Sequence, residues 1–219
     1  MIVFDERYDI RLAREDEIDD IRNFIKMYWN ENHIFVKDRQ FFKWMYGRDD
    51  SFFNFMIARE RSDSSLQAIW GFVLSSLTEG DTPDVSGSMW KVRPDNKNIP
   101  LFGCELINRL PKFVKYRDHL GSGLNPKTAV PFYKSYFNRF VEKMRHYYIL
   151  NATISDYKIA KIPDTYQRKQ RNKKEKSLQI EEIPDIAKLK SFFDLMSCDR
   201  VPHKDAKYLY KRYFTHPYY

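Results

Sequence analysis

The sequence predicts a mixed α/β domain, and three observations carry that expectation. Residues 87–138 read in turn as strand, loop, helix, strand, loop and helix. Residues 54–58 and 68–74 read as two strands around a polar turn at 61–65. Residues 8–13 alternate like a first strand and run straight into an acidic helix start.

In the first strand Ile10 and Leu12 share a face. Arg14, Glu15, Asp16 and Glu17 then open a helix, the acidic residues complementing its dipole. Ile18, Ile21, Phe24 or Ile25, and Tyr28 give that helix an apolar stripe. Residues 29–35 break it, and a second helix starts at 37–40 and runs over 41–46. Within the break, Trp29 and His33 read as a core tryptophan and a surface histidine, unless, with Glu31, they are the acceptor contacts that the family resemblance given below implies. Gly71 inside its strand predicts a bulge or a close backbone approach. Residues 78–87 read as loop.

A short strand over 88–92 is stopped by Pro94 and Pro100, which donate no backbone hydrogen bond. From Leu101 the apolar residues fall at Leu101, Cys104, Ile107 and Leu110 or Leu106, which is helical spacing, with Pro100 just ahead of it. A strand feeding a helix through a tight loop aims free N–H groups at whatever lies above the loop, and those groups favour an anion such as phosphate. Gly103 allows close approach to the first turn. Residues 119–124 follow as a strand, 126–137 as a helix carrying Tyr133, and 146–151 as a further strand.

Composition excludes more than it identifies. The 219 residues are 42% apolar and 16% aromatic, enough for a ring-rich core. No apolar run approaches the about 20 residues of a membrane helix, and the N-terminus lacks a signal-peptide layout. Cys104 and Cys198 are too few for a disulfide framework and read as reduced residues of a cytoplasmic protein. Of the net charge of +8, residues 168–176 contribute +5, so nucleic-acid binding is disfavoured against a solvated basic linker. There is no Cys/His cluster at metal spacing, no G-x-S-x-G and no G-x-x-x-x-G-K-[ST].

The segment Gly123, Leu124, Asn125, Pro126, Lys127, Thr128, Ala129, Val130, Pro131, Phe132, Tyr133, Lys134 resembles the Asn…Ala-x-x-x-Tyr pattern of the GNAT acyltransferases. The preceding loop resembles that family's pyrophosphate loop less closely. Where the family prefers Gln or Arg, two residues, Gly, one residue, then Gly or Ala, this chain has Asn98, Ile99, Pro100, Leu101, Phe102 and Gly103. The resemblance implies a GNAT-like fold, a twisted, mostly antiparallel sheet splayed in the middle and flanked by helices. It implies acetyl-CoA (coenzyme A) as cofactor and a small-molecule amine as acceptor. The variant with Gly-x-Asn…Ala-x-Pro-x-Tyr-Lys looks like members tied to surface-polysaccharide biosynthesis, which makes an amino sugar, or a nucleotide-linked one, the first acceptor to consider.

On that resemblance residues 1–154 form a GNAT-like acyltransferase domain and 155–176 a basic linker. Residues 177–219 form the helical start of a second, incomplete GNAT-like unit, because Glu182, Ile183, Pro184, Asp185 and Ile186 echo residues 17–21 and Lys204, Asp205, Ala206, Lys207 and Tyr208 echo residues 37–41. Tyr133 is the expected proton donor to the leaving thiolate. A backbone N–H at Val92 or a neighbour would meet the oxyanion. Arg93, Asn98, Phe102, Gly103 and Cys104 are the expected pyrophosphate contacts, with Asn125 and Ala129 also on the cofactor side. Glu31, His33 and His119 are candidates for the base, water being another. A homodimer is open, and no membrane partner or metal is expected. The rival is a degenerate GNAT scaffold serving as a binding or assembly module, motivated by Leu101 at a glycine position.

Overall fold

Phenylalanines and isoleucines from three helices and two strands make up most of the main core cluster of this protein. The computed structural model describes residues 4–48, 51–96, 99–145, 181–194 and 202–218. It divides into two compact units, Met1–Gly123 with Ile183–Tyr219, and Leu124–Glu182.

In the larger unit five strands lie in sequential order: β1 (Tyr8–Arg14), β2 (Phe52–Glu60), β3 (Leu66–Leu74), β4 (Val85–Val92) and β5 (His119–Gly121). The first four pair antiparallel, and β5 joins β4 in parallel. β4 begins three residues earlier than its 88–92 expectation, because the fully buried Val85 already pairs with Leu74 on one side and His119 on the other. β5 is shorter than 119–124 and ends at Gly121.

Strand alternation sends residues to two faces. On one, Phe53, Phe55, Ile57, Ile69 and Met89 meet α2 (Ile18–Tyr28), α3 (Ile34–Lys37) and α4 (Arg39–Tyr46). The predicted stripe is buried there at Ile18, Ile21, Phe24 and Ile25. Where residues 29–35 were expected to be irregular, α3 inserts one turn, and its Phe35 packs on Phe42 and Tyr46. Gly71 fits both of its expected roles. The register shifts beside it, and a Cβ there would lie 2.6 Å from the Phe55 ring. The opposite face is covered by α1 (Phe4–Arg7) and α5 (Phe102–Arg109), with Phe102 against Tyr8 at 4.4 Å between ring centroids. Cys104, Leu106, Ile107 and Leu110 are buried as the spacing predicts, but Leu101 is 41% exposed and lies off that stripe.

Three buried carboxylates fix the larger unit. Glu17 accepts from both terminal nitrogens of Arg11 at 2.6 and 2.9 Å, from Arg59 Nε at 2.8 Å and from the Arg14 amide at 2.9 Å. Burial alone would raise its pKa, but the hydrogen bonds from Arg11, the Arg14 amide and Arg59 prevail and hold it at about 2. Asp84 takes both arms of Arg117 and the His203 amide. Asp205 accepts from Ser76 and Thr78 hydroxyls and the Leu77 and Thr78 amides, while its other oxygen caps α8 (Ala206–Phe214) through the Tyr208 N–H at 2.6 Å. These bonds strap residues 202–218 to the β3–β4 loop. At the far end Trp44 donates to Thr215 and packs on His216. α7 (Ile186–Asp194) precedes α8 and buries Leu189.

In the smaller unit the helix expected over 126–137 is irregular. The Asn125 side chain accepts from the Lys127 and Thr128 amides, and α6 (Ala129–Pro131) follows. Pro131 has no N–H to continue the ladder, and the chain widens to a π-helical turn over Phe132–Tyr136, closed by Phe137 N–H to the Phe132 carbonyl. The expected strand at 146–151, the basic run 168–176, Asn98 and Cys198 lie outside the described residues.

Glu17→Gln should lower the unfolding free energy at neutral pH by about 3 kcal/mol, since it strands two guanidinium groups. The folded pKa is depressed, so this stabilisation is present above the ordinary carboxylate range of 4.5 and fades as pH falls towards about 2. Urea unfolding of both proteins across that window should show the gap closing.

Candidate functional site

β4 is bordered by β3 along its length but by β5 at one end only. The parallel pairs are Val85 with His119, Ser86 with Leu120 and Gly87 with Gly121. Beyond Gly87, among the described residues, β4 runs on to Val92 with no further β5 pair, so the sheet forks. A bulge marks the same point: Gly71 faces Met89 and Phe72 faces Gly87, leaving Ser88 unopposed. An extra residue bends its strand and raises the local twist, which turns β4 away from its neighbour.

The edge beyond the fork has a defined polarity. The Arg93 amide donates to the Gln67 carbonyl on the β3 side at 2.9 Å. Successive strand N–H groups point to opposite sides, so those of Trp90 and Val92 point into the fork. The Val92 amide thus faces away from β3.

From Val92 the chain passes through a helical turn at Pro94–Asn96, where the Asn96 and Gln67 side chains bond, and reaches Leu101. Leu101 has φ 59° and ψ 11°, the left-handed conformation that favours glycine. The loop thus holds a leucine in a backbone shape that glycine adopts at no steric cost. The Glu105 amide makes the first bond of α5, to the Leu101 carbonyl at 3.2 Å, so no helical carbonyl can accept from the Gly103 and Cys104 amides.

Gly103 serves packing. A Cβ there would sit 2.7 Å from Trp90 Nε1, and that indole donates to the Gly103 carbonyl at 3.0 Å. The contact draws the start of α5 onto β4 beside the fork. Phe102 and Cys104 are both 2% exposed, and burial pushes the Cys104 thiol up to about 11. From these two positions only the main chain is available to a ligand. The Arg93 guanidinium pairs with Asp95 and lies 5.3 Å over the Tyr28 ring. Arg93 is therefore engaged, and its hydrogen bond to Asp95 raises its pKa further.

Val92, Arg93, Phe102, Gly103 and Cys104 thus fall together around the β4–α5 connection. Asn125, Ala129 and Tyr133 belong to the smaller unit, where Asn125 caps the helix and Tyr133 is buried with its ring 5.5 Å from Phe137. Glu31 is exposed in the turn before α3. His33 caps α3, its Nδ1 accepting the Phe35 amide at 3.2 Å, and burial lowers its pKa. Protonating Nδ1 would break that cap, which sets His33's structural role against service as a base. His119 opens β5, edge-on to Trp70.

Sequence reasoning passed over Ser88 and Tyr46. The Tyr46 hydroxyl lies 3.0 Å from Ser88 Oγ, joining α4 to the bulge. The available signal was the run Ser86, Gly87, Ser88, three weak strand formers in a strand. A polar cleft of about 450 Å³ lies elsewhere, over β1 and β2 around Arg11, Glu17 and Arg59; Arg11 and Arg59 are spent on Glu17 and Asp20, Arg14 on Asp16 and Arg61 on the Asp5 carbonyl. Among the described residues no group of three His, Cys, Asp or Glu is placed to hold a metal, and no helix is long and apolar enough to cross a membrane.

No family profile and no curated protein sequence matches the chain. Solved structures do. An aminoglycoside acetyltransferase from an uncultured soil metagenomic sample, in complex with trehalose, aligns with a TM-score of 0.50 at 12% identity, over 68% of this chain and 99% of that one. An aminoglycoside N-acetyltransferase in complex with coenzyme A aligns at 0.45 and 15% identity, over 66% and 95%. A GNAT family acetyltransferase of Staphylococcus aureus aligns at 0.43 and 9%, over 66% and 99%. The fold is that of the GNAT acetyltransferases.

Two substitutions at the start of α5 should move stability in opposite directions. Leu101→Gly relieves a left-handed leucine and should raise the unfolding free energy by about 0.5–1 kcal/mol. Gly103→Ala forces a methyl group into the Trp90 indole and should lower it by about 1–3 kcal/mol. Urea denaturation of both variants measures each shift.

Proposed function

We propose that this chain is a GNAT N-acyltransferase that uses coenzyme A, taking acetyl-CoA as donor and the amine of a small polar molecule as acceptor. The observation that carries this is the fork in the sheet, where β4 leaves β5 at Gly87 and runs on to Val92 before the loop into α5. An open strand edge can pair with a ligand's amides, and the arm of coenzyme A carries amides. The Gly103 and Cys104 amides at the start of α5 suit a diphosphate. The fit would be a main-chain one, and the left-handed backbone at Leu101, where the family prefers glycine, supports it. That weakens the rival reading of a degenerate scaffold.

Bound coenzyme A would supply the acyl thioester. The chain's own contribution is then threefold. The Val92 N–H would donate to the oxyanion as the amine attacks. The edge of β4 would hold the donor extended and away from water. The Tyr133 phenol would return a proton to the departing thiolate. An amino sugar, free or nucleotide-linked, is our first choice of acceptor. Gly123, Asn125, Ala129, Pro131, Tyr133 and Lys134 resemble the variant tied to surface-polysaccharide biosynthesis. The trehalose in the metagenomic enzyme's complex is a sugar held by the same fold. Such a role would be cytoplasmic, in keeping with the scarcity of cysteine.

Calorimetry with acetyl-CoA should give saturable binding, with Kd in the range of about 1 µM–1 mM usual for substrates. Tyr133→Phe should bind within about threefold of that and turn over an amine substrate about 10²–10⁴-fold more slowly. Absence of acetyl-CoA binding by the unaltered protein would overturn the proposal.

A further inference from the structure

The bulge at Ser88 does more than turn β4 away from β5. Ser88 is the first residue of β4 beyond the last β5 pair, it is the residue left unopposed by β3, and its side chain is exposed. Directly behind it stands Tyr46, 1% exposed at the end of α4 and ringed by Phe35, Phe42 and Phe55. Its hydroxyl reaches Ser88 Oγ at 3.0 Å. Burial pushes the Tyr46 phenol up to about 12, so it keeps its proton at neutral pH.

The direction of that bond follows. The distance fits either hydroxyl as donor; a buried phenol must place its proton, and among the described residues Ser88 Oγ is the acceptor in reach, which assigns Tyr46 as donor and Ser88 as acceptor. One lone pair and the O–H of Ser88 then remain, both turned away from Tyr46. Ser88 itself stands where the fork opens, on the strand whose Val92 amide points into it. A group that offers one donor and one acceptor at fixed positions matches a molecule that presents the same two functions side by side.

We infer that Tyr46 and Ser88 form an acceptor-binding pair, and that it selects amines with a neighbouring hydroxyl over amines without one. This rests on the acyltransferase proposal above and adds its acceptor class. Ser88 Oγ would accept an N–H or O–H of the acceptor and donate to the adjacent oxygen. Tyr46 is a positioning residue: it touches Ser88 and, by donating to it, keeps the serine proton turned away from the core. No covalent step is asked of either.

Glucosamine and cyclohexylamine test this as paired probes, one with a vicinal hydroxyl and one without. Thiol release from acetyl-CoA gives KM and kcat for each, and calorimetry gives the acetyl-CoA Kd separately. The unaltered protein should prefer glucosamine. Ser88→Ala should cut that preference about tenfold, chiefly through the glucosamine KM, with the acetyl-CoA Kd within about twofold of the original. Ser88→Thr, which keeps the hydroxyl, should retain the preference. Tyr46→Phe should weaken it, and adding Ser88→Ala to Tyr46→Phe should cost less than Ser88→Ala alone does. An unchanged preference in Ser88→Ala, or an equal change in the acetyl-CoA Kd, overturns the inference. So does an unaltered protein that binds acetyl-CoA yet consumes neither amine, a result that leaves the donor site standing. Failure to bind acetyl-CoA overturns instead the proposal on which this rests.

Discussion

Everything that makes this fold usable follows from an interruption in main-chain hydrogen bonding. A sheet is stable because each strand's amides and carbonyls are taken by the next, and an open edge is a liability that proteins avoid or exploit. Here, among the described residues, β4 is paired with β3 throughout and with β5 over three residues. An open edge inside a sheet would close if both strands could straighten. The unopposed Ser88 prevents that on β4, and the three-residue length of β5 prevents it on the other side.

Holding a fork open requires rigid surroundings, and the larger unit supplies them on both faces. One face is a cluster of rings in which Phe55 crosses Gly71 and Tyr46 reaches the bulge. On the other face the Trp90 indole draws the start of α5 onto β4. At the edges, buried carboxylates tie segments that are distant in sequence. Glu17 joins β1, β2 and the start of α2, while Asp84 and Asp205 bind the last helix to the β3–β4 loop. The polar cleft over β1 and β2 belongs to this bracing, since its arginines are already committed.

Local rules made most of the architecture legible. The stripe of Ile18, Ile21, Phe24 and Ile25, the hairpin of β2 and β3, and the dual meaning of Gly71 were all readable from spacing and glycine chemistry. So was the echo between Asp38 and Asp205, both of which prove to be helix caps, accepting the Phe41 and Tyr208 amides. That likeness has a local cause whether or not a repeat stands behind it. Features decided by distant contacts were not legible. Leu101 looked like a member of an apolar stripe, yet its left-handed backbone turns it to solvent. The side chains of Phe102 and Cys104 are buried, Phe102 because Tyr8 and Phe4 approach from elsewhere in the chain, which leaves the main chain at both positions as the part open to a ligand. Gly103 was correctly marked as a point of close approach, but what approaches is an indole. Ser88 gave little warning, since a bulge depends on the register of two strands.

The central claim is that, among the described residues, the fork-facing Val92 amide of β4 has no strand partner until a donor arrives. Amide hydrogen exchange measured residue by residue tests it directly. Val92 should exchange much faster than Lys91, which points towards β3, and saturating acetyl-CoA should slow it by at least about tenfold while leaving Lys91 unchanged. A Val92 amide as protected as Lys91 in the free protein, or no change on adding acetyl-CoA, would contradict the account.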